Sequence, residues 1–169
     1  MELQPLLFLV FALGAVISAV STVTRKNPVS SAMSLVAHFF MLAGLYLTLE
    51  AQFVAAVQVL VYAGAIMVLV VFVIMLLNLG NEQALTENRG LRSTLATLIG
   101  AVFAVQIILV TVAEPTGANA LPSRAVEIGT TESIGQSLFT QYLFPFEAIS
   151  LLLLAALIGS VVLAKRHMK

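Results

Sequence analysis

Five long apolar stretches alternate with short polar ones along the chain, at 3–24, 27–49, 51–81, 93–113 and 133–164. The interruptions are Arg25-Lys26 with Asn27-Pro28, then Glu50, then 82–92, then 114–132. An α-helix rises 1.5 Å per residue, so about 20 apolar residues cross a hydrocarbon core about 30 Å thick. Each stretch therefore houses one span, and the pattern predicts helices at about 3–24, 28–49, 53–79, 93–113 and 138–164. The third stretch is longer than one span needs and too short for two, which predicts tilt or overhang. Pro115, Gly117, Asn119, Pro122 and Gly129 fill the segment before the last span with helix breakers, so 114–137 reads as an extramembrane loop. No inverted internal repeat of the transporter kind is visible.

Composition turns that pattern into a fold class. Of the 169 residues 60% are hydrophobic and 9% charged, against roughly a quarter charged in a soluble domain. So few charges cannot cover the surface of a water-soluble globule of this size, and the apolar excess must face lipid or other membrane chains. The expected fold is an all-α integral membrane protein, one membrane domain over 1–169 with five transmembrane helices. With no cysteine, the chain itself holds no disulfide, iron–sulfur cluster or thiolate metal site. Lys+Arg and Asp+Glu are both 8, so there is no basic footprint for nucleic acid.

Where the cations fall predicts orientation. With the N-terminus outside, Arg25, Lys26, Arg89, Arg92, Lys165, Arg166 and Lys169 lie on the cytoplasmic side and only Arg124 lies outside, which is N-out, C-in by the positive-inside rule. The first stretch lacks the leading cation of a secretory signal, since Met1 and Glu2 precede it and the cations follow it. It reads as an uncleaved anchor.

Few polar side chains remain within the spans. An ionised carboxylate in mid-bilayer costs about 3 kcal/mol on insertion scales, which makes Glu147 a functional candidate. Pro145 suits the first turn of a helix, so Glu147 also reads as an interfacial residue near a positive helix end, and both readings stand. In the third span, Gln58 and Tyr62 are four apart and share one face of an α-helix, where they could hold water or a polar neighbour. The run Ala63, Gly64 and Ala65 reads first as a close-packing segment, the commoner use of small residues in membranes. His38, in mid-span without an acidic or second histidine neighbour, reads as a hydrogen-bonded packing residue rather than a metal ligand. Small-residue stripes at Ala12, Ala15, Ala19 and Thr22, and at Ala155 with Gly159 and Ala156 with Ser160, read as helix-packing faces. No phosphate loop or nucleophile–histidine pair occurs, so the chain shows no active site of its own.

The run from Val61-Tyr62-Ala63-Gly64-Ala65-Ile66-Met67-Val68-Leu69 through Phe72-Val73-Ile74-Met75 to Leu77-Asn78-Leu79-Gly80 is more specific. It closely resembles the third helix of the J-type membrane subunit of respiratory complex I, the proton-pumping NADH:quinone oxidoreductase, whose mitochondrial counterpart is NADH dehydrogenase subunit 6. Tyr142-Leu143-Phe144-Pro145-Phe146-Glu147-Ala148 resembles the start of that family's fifth helix, and Asn27-Pro28 is a weaker match. The resemblance implies a non-catalytic subunit of a translocase in the inner (plasma) membrane of a bacterium, packed between quinone-site and antiporter-like subunits. It implies no cofactor on this chain, with NADH, FMN, iron–sulfur clusters and quinone in the parent complex. It implies a third helix with a π-bulge at Tyr62, Ala63, Gly64 and Ala65, whose interconversion with regular helix opens and closes a water path, and Tyr62, Gln58 and Glu147 as proton-path candidates. Some members carry glutamate where this chain has Gln58, and an amide does not take up and release a proton near neutral pH. The alternative is a small membrane subunit of a multisubunit cation/proton antiporter or membrane-bound hydrogenase.

Overall fold

A computed structural model of the chain describes residues 3–77, 91–113 and 129–165, all of whose regular structure is helical. Among these residues six helices follow in order: α1 (Leu3–Thr24), α2 (Pro28–Thr48), α3 (Gln52–Leu76), α4 (Leu91–Ala113), α5 (Thr131–Thr140) and α6 (Leu143–Ala164). Four of them, α1, α2, α3 and α6, are long and apolar enough to cross a membrane, and α4 contributes a shorter apolar stretch at Leu95–Val110. The cations expected to set orientation at 89, 124, 166 and 169 lie outside the described residues, as do 78–79 of the expected third span.

Helix starts are written in the sequence. Pro5, Pro28 and Pro145 each fall in the first turn of α1, α2 and α6, where a missing N–H costs nothing because the first four have no intrahelical acceptor. Asn27 caps α2, its Oδ1 accepting from the N–H groups of Val29 at 2.9 Å and Ser30 at 3.2 Å. The other end of α2 closes with Glu50 N–H to the Leu47 carbonyl at 3.1 Å and Ala51 N–H to the Tyr46 carbonyl at 2.9 Å. That closure puts Glu50 at φ 60°, in the left-handed region where glycine is the usual occupant.

Of the expected loop at 114–137, residues 114–128 lie outside the described residues; the remainder, with the expected last helix at 138–164, needs correction. Residues from Thr131 are already helical, with Thr130 Oγ1 accepting from Ser133 N–H at 3.3 Å to start α5. That helix stops at Thr140, and a new one starts at Leu143. Pro145 gives the reason. Continued helix would need its absent N–H to bond the Gln141 carbonyl, against which its ring would also clash, so the chain breaks at Gln141-Tyr142 and restarts. The Phe139 and Phe146 rings, centroids 5.0 Å apart and edge to face, pack across the break.

The core is the antiparallel pair α1 and α2, with α3 packed on α2. Buried Ala15 on α1 and buried Ala32, Ala43 and Gly44 on α2 bring the backbones close. A Cβ built on Gly44 would lie 2.5 Å from the Phe11 ring, and one on Gly14 would lie 2.8 Å from Met41 Sδ. Polar ties run the length of this seam: Gln4 Nε2 donates to the Thr48 carbonyl at 3.0 Å, His38 Nδ1 meets the Ala15 carbonyl at 2.9 Å, and Ser21 and Ser34 share a hydrogen bond of 3.2 Å. Ser31 Oγ donates to the Thr22 carbonyl at the far end. Of the two small-residue stripes, the one on α1 supplies buried Ala15, whereas α6 buries none of its residues and packs only against α5 among the described residues. Helix α4 packs against no other helix among the described residues.

Candidate functional site: the π-helical turn of the third helix

Within α3, the backbone over Gln58–Ile66 is π-helical, between α-helical Gln52–Val57 and Met67–Leu76. The wide turns hand over to the α ladder at Met67, whose N–H is shared between the Tyr62 and Gly64 carbonyls. π-Helix is rare and unfavourable in isolation, and it concentrates at functional positions. Here the local composition makes it affordable. A Cβ added to Gly64 would lie 3.3 Å from the Val59 carbonyl, the backbone group one π turn earlier, so Gly64 lets these turns close without side-chain pressure on the backbone.

The π turn changes which residues face the core. The buried positions of α3 are Ala55, Gln58, Ala63 and Met67, so the step across the π segment is five residues where an α-helix would take three or four. A regular α-helix continuing from Gln58 would bring Tyr62 to the buried face. Instead Gln58 is 7% exposed, Ala63 is 8% exposed and Tyr62 is 45% exposed. The expectation that Gln58 and Tyr62 share a face rested on α periodicity, and the wider turn separates them in burial. Ala63 and Gly64 lie on the packed side, and Ala65 is exposed.

Gln58 is the one buried polar residue among the described residues, and no buried side-chain nitrogen or oxygen among them lacks a hydrogen-bond partner. Tyr62 packs its ring against Phe39 of α2, centroids 5.5 Å apart and tilted by 58°. Phe39 was invisible to sequence reasoning, because nothing in an apolar stretch marks which aromatic meets which neighbour. Its neighbour His38 carries the seam hydrogen bond to Ala15, in line with the packing role expected of it.

Glu147 is not brought to this cluster. It stands in the second turn of α6, exposed in the chain as a whole, on a helix that among the described residues packs only with α5. Helix α5 in turn packs against the first turns of α3. Among the described residues no group of three or more histidine, cysteine or acidic side chains converges on a point.

Known proteins resemble the chain along most of its length. Residues 18–163 match the family described as NADH-ubiquinone/plastoquinone oxidoreductase chain 6. The chain is 39% identical over 161 residues to NAD(P)H-quinone oxidoreductase chain 6 of Leptolyngbya boryana, covering 95% of this chain and 79% of that one. It is 38% identical over 171 residues to the chloroplastic NAD(P)H-quinone oxidoreductase subunit 6 of Physcomitrium patens, covering 98% and 86%. It is likewise 38% identical over 168 residues to the F420H2 dehydrogenase subunit J of Methanosarcina mazei, covering 96% and 92%.

Proposed function

The chain belongs to the NADH-ubiquinone/plastoquinone oxidoreductase chain 6 family, and from that premise we propose how it serves as a membrane-arm subunit of an NAD(P)H-quinone oxidoreductase. Its part is to couple electron transfer elsewhere in the complex to proton movement, through a change of helical register in α3. The observation that carries this reading is the five-residue step between buried Gln58 and buried Ala63.

Converting one π turn to α removes one residue from the turn and rotates the helix beyond it by about 100°, the angle per residue of an α-helix. In the π form Ala63 occupies the buried seam and the Tyr62 hydroxyl is directed elsewhere. In the α form Tyr62 replaces Ala63 and joins the face of Gln58. A phenol hydroxyl both donates and accepts, and a primary amide does the same through separate atoms, so together they can hold water in line. Gln58 does not itself ionise, and its role is to orient water. Tyr62, Ala63, Gly64 and Ala65 form the switch, with Gly64 as the position that tolerates the tight backbone of the π form.

Topology follows the same reading. Five spans with the N-terminus outside put the start of α3, helix α5 and the first turns of α6 on one side of the membrane, in keeping with the packing of α5 against both of those helices. The host membrane is a bacterial plasma membrane. Glu147, on the open side of α6, offers its carboxylate to an adjoining quinone-site or antiporter-like subunit rather than to Tyr62. The nicotinamide, flavin, iron–sulfur and quinone chemistry resides in those other subunits. Relatives in the family are named for NAD(P)H in some organisms and for F420H2 in another, so the electron donor is a property of the complex rather than of this membrane chain.

Gly64→Val tests the reading. Proteoliposomes containing the assembled complex should retain NADH oxidation by a water-soluble acceptor while translocating fewer protons per quinone reduced. Normal proton yield in a fully assembled complex would remove the switch from the account.

A further inference from the structure

We infer that His38 is a positioning residue for the switch: its Nδ1–H, held by the Ala15 carbonyl, fixes the stretch of α2 that seats Phe39 against Tyr62. This inference rests on the switch reading above and adds to it the fixed part against which α3 turns.

A carbonyl oxygen only accepts, so the 2.9 Å contact with Ala15 requires the proton on Nδ1 and leaves Nε2 without one in the neutral ring. Two features make this contact one that locates a helix. Ala15 is buried on α1, and its carbonyl lies 3.0 Å from Ser18 Oγ, whose one proton it shares with the Gly14 carbonyl at 2.7 Å, so the acceptor sits in surroundings set by its own helix. His38 lies at the midpoint of α2, well away from its ends, in surroundings where a lost donor is not replaced by water. One residue on, Phe39 meets Tyr62 at 5.5 Å, and the His38 and Phe39 rings are themselves 6.0 Å apart. The chain of contact runs from Ala15 through His38 and Phe39 to Tyr62, from the rigid pair into the π turn.

Charge plays no part in this role. Helix α1 carries no ionisable residue between Leu3 and Thr24, and the only ionisable side chain on the described length of α3 is Tyr62, so His38 has no counter-ion on either helix packed against α2. What it supplies is a hydrogen bond at one ring position. Asparagine places an N–H at the distance of Nδ1 from the backbone, whereas glutamine places its amide one carbon further out.

The test is proton yield per quinone reduced in proteoliposomes of the whole complex, with complex assembly measured on the same samples. His38→Leu should lower the yield, with a shift of about threefold in the balance of the two α3 forms, the effect of one interhelical hydrogen bond of about 0.6 kcal/mol. His38→Asn should restore the yield, and His38→Gln should not. Phe39→Leu should reproduce the defect, and adding it to His38→Leu should make it no worse. If His38→Leu does not assemble, the Asn and Gln variants, both polar and similar in size, decide alone. Equal yields in Asn and Gln would overturn the assignment to Nδ1, and normal yield in an assembled His38→Leu complex would overturn the positioning role. Gly64→Val run alongside separates the two ideas: if it lowers the yield while His38→Leu does not, only the present inference fails, whereas if neither lowers it the switch itself fails.

Discussion

Helices α1 and α6 have the same length and nearly the same apolar character, yet they spend it differently. Helix α1 lies in a seam with α2, where glycine and alanine bring backbones together and polar groups tie the two helices at Gln4, Ala15, Ser21 and Thr22. Helix α6 crosses no such seam among the described residues, and leucines at 151, 152, 153 and 154 all stand open. Lipid is as apolar as leucine, so a transmembrane helix gains little by burying apolar side chains alone and is located by close packing and polar ties. The first helix is therefore located by its own chain, and α6 by whatever surrounds it in the complex. Helix α3 stands between these cases, packed on α2 along one face and carrying the π turn in the middle of that contact.

The sharpest way to break this contrast is at Gly44. Gly44→Leu forces a branched side chain into the space of the Phe11 ring, and overpacking of this kind costs about 1–3 kcal/mol or more. Little assembled complex should be recovered on native gels, whereas wild-type levels would show that the α1–α2 seam is not what locates the pair. Next in size is Gly64→Val, which should leave assembly largely intact and lower proton yield, so that the two glycines separate folding from coupling.

A smaller effect sharpens the α6 side of the comparison. Leu153→Ala should leave thermal unfolding of the isolated, detergent-solubilised chain unchanged, because the residue buries nothing within it, yet lower the melting temperature of the assembled complex. A change in the isolated chain would mean that α6 folds against its own protein. The smallest effect is expected at Glu50, where a non-glycine residue in the left-handed region costs roughly 1–2 kcal/mol. Glu50→Gly should raise the melting temperature of the isolated chain by a few degrees, and a decrease would show that the carboxylate contributes more than its backbone conformation costs.

What could be read from the sequence follows from the physics that shapes each feature. Spans are legible because the bilayer imposes one length and one polarity, so α2 and α3 begin within a residue of where hydropathy and Pro28 put them. Helix α5 was not legible. Its polar composition resembles a loop, and Pro145 reads as the start of a helix without revealing that another helix has just been stopped by it. At the π turn, Gly64 and its small neighbours were visible as residues, but the partition that puts Ala63 rather than Tyr62 in the seam was not, because periodicity arguments assume 3.6 residues per turn. The Phe39–Tyr62 contact belongs to tertiary structure and leaves no local mark.

The central claim is that α3 exists in two registers. Maps of the complex at rest and during turnover, at a resolution that shows carbonyl bumps, test it most directly. The account predicts a π turn over Gln58–Ile66 with Ala63 in the seam in one state, and continuous α-helix with Tyr62 in that place in the other. A π turn that keeps Ala63 buried in every state of a pumping complex would contradict it.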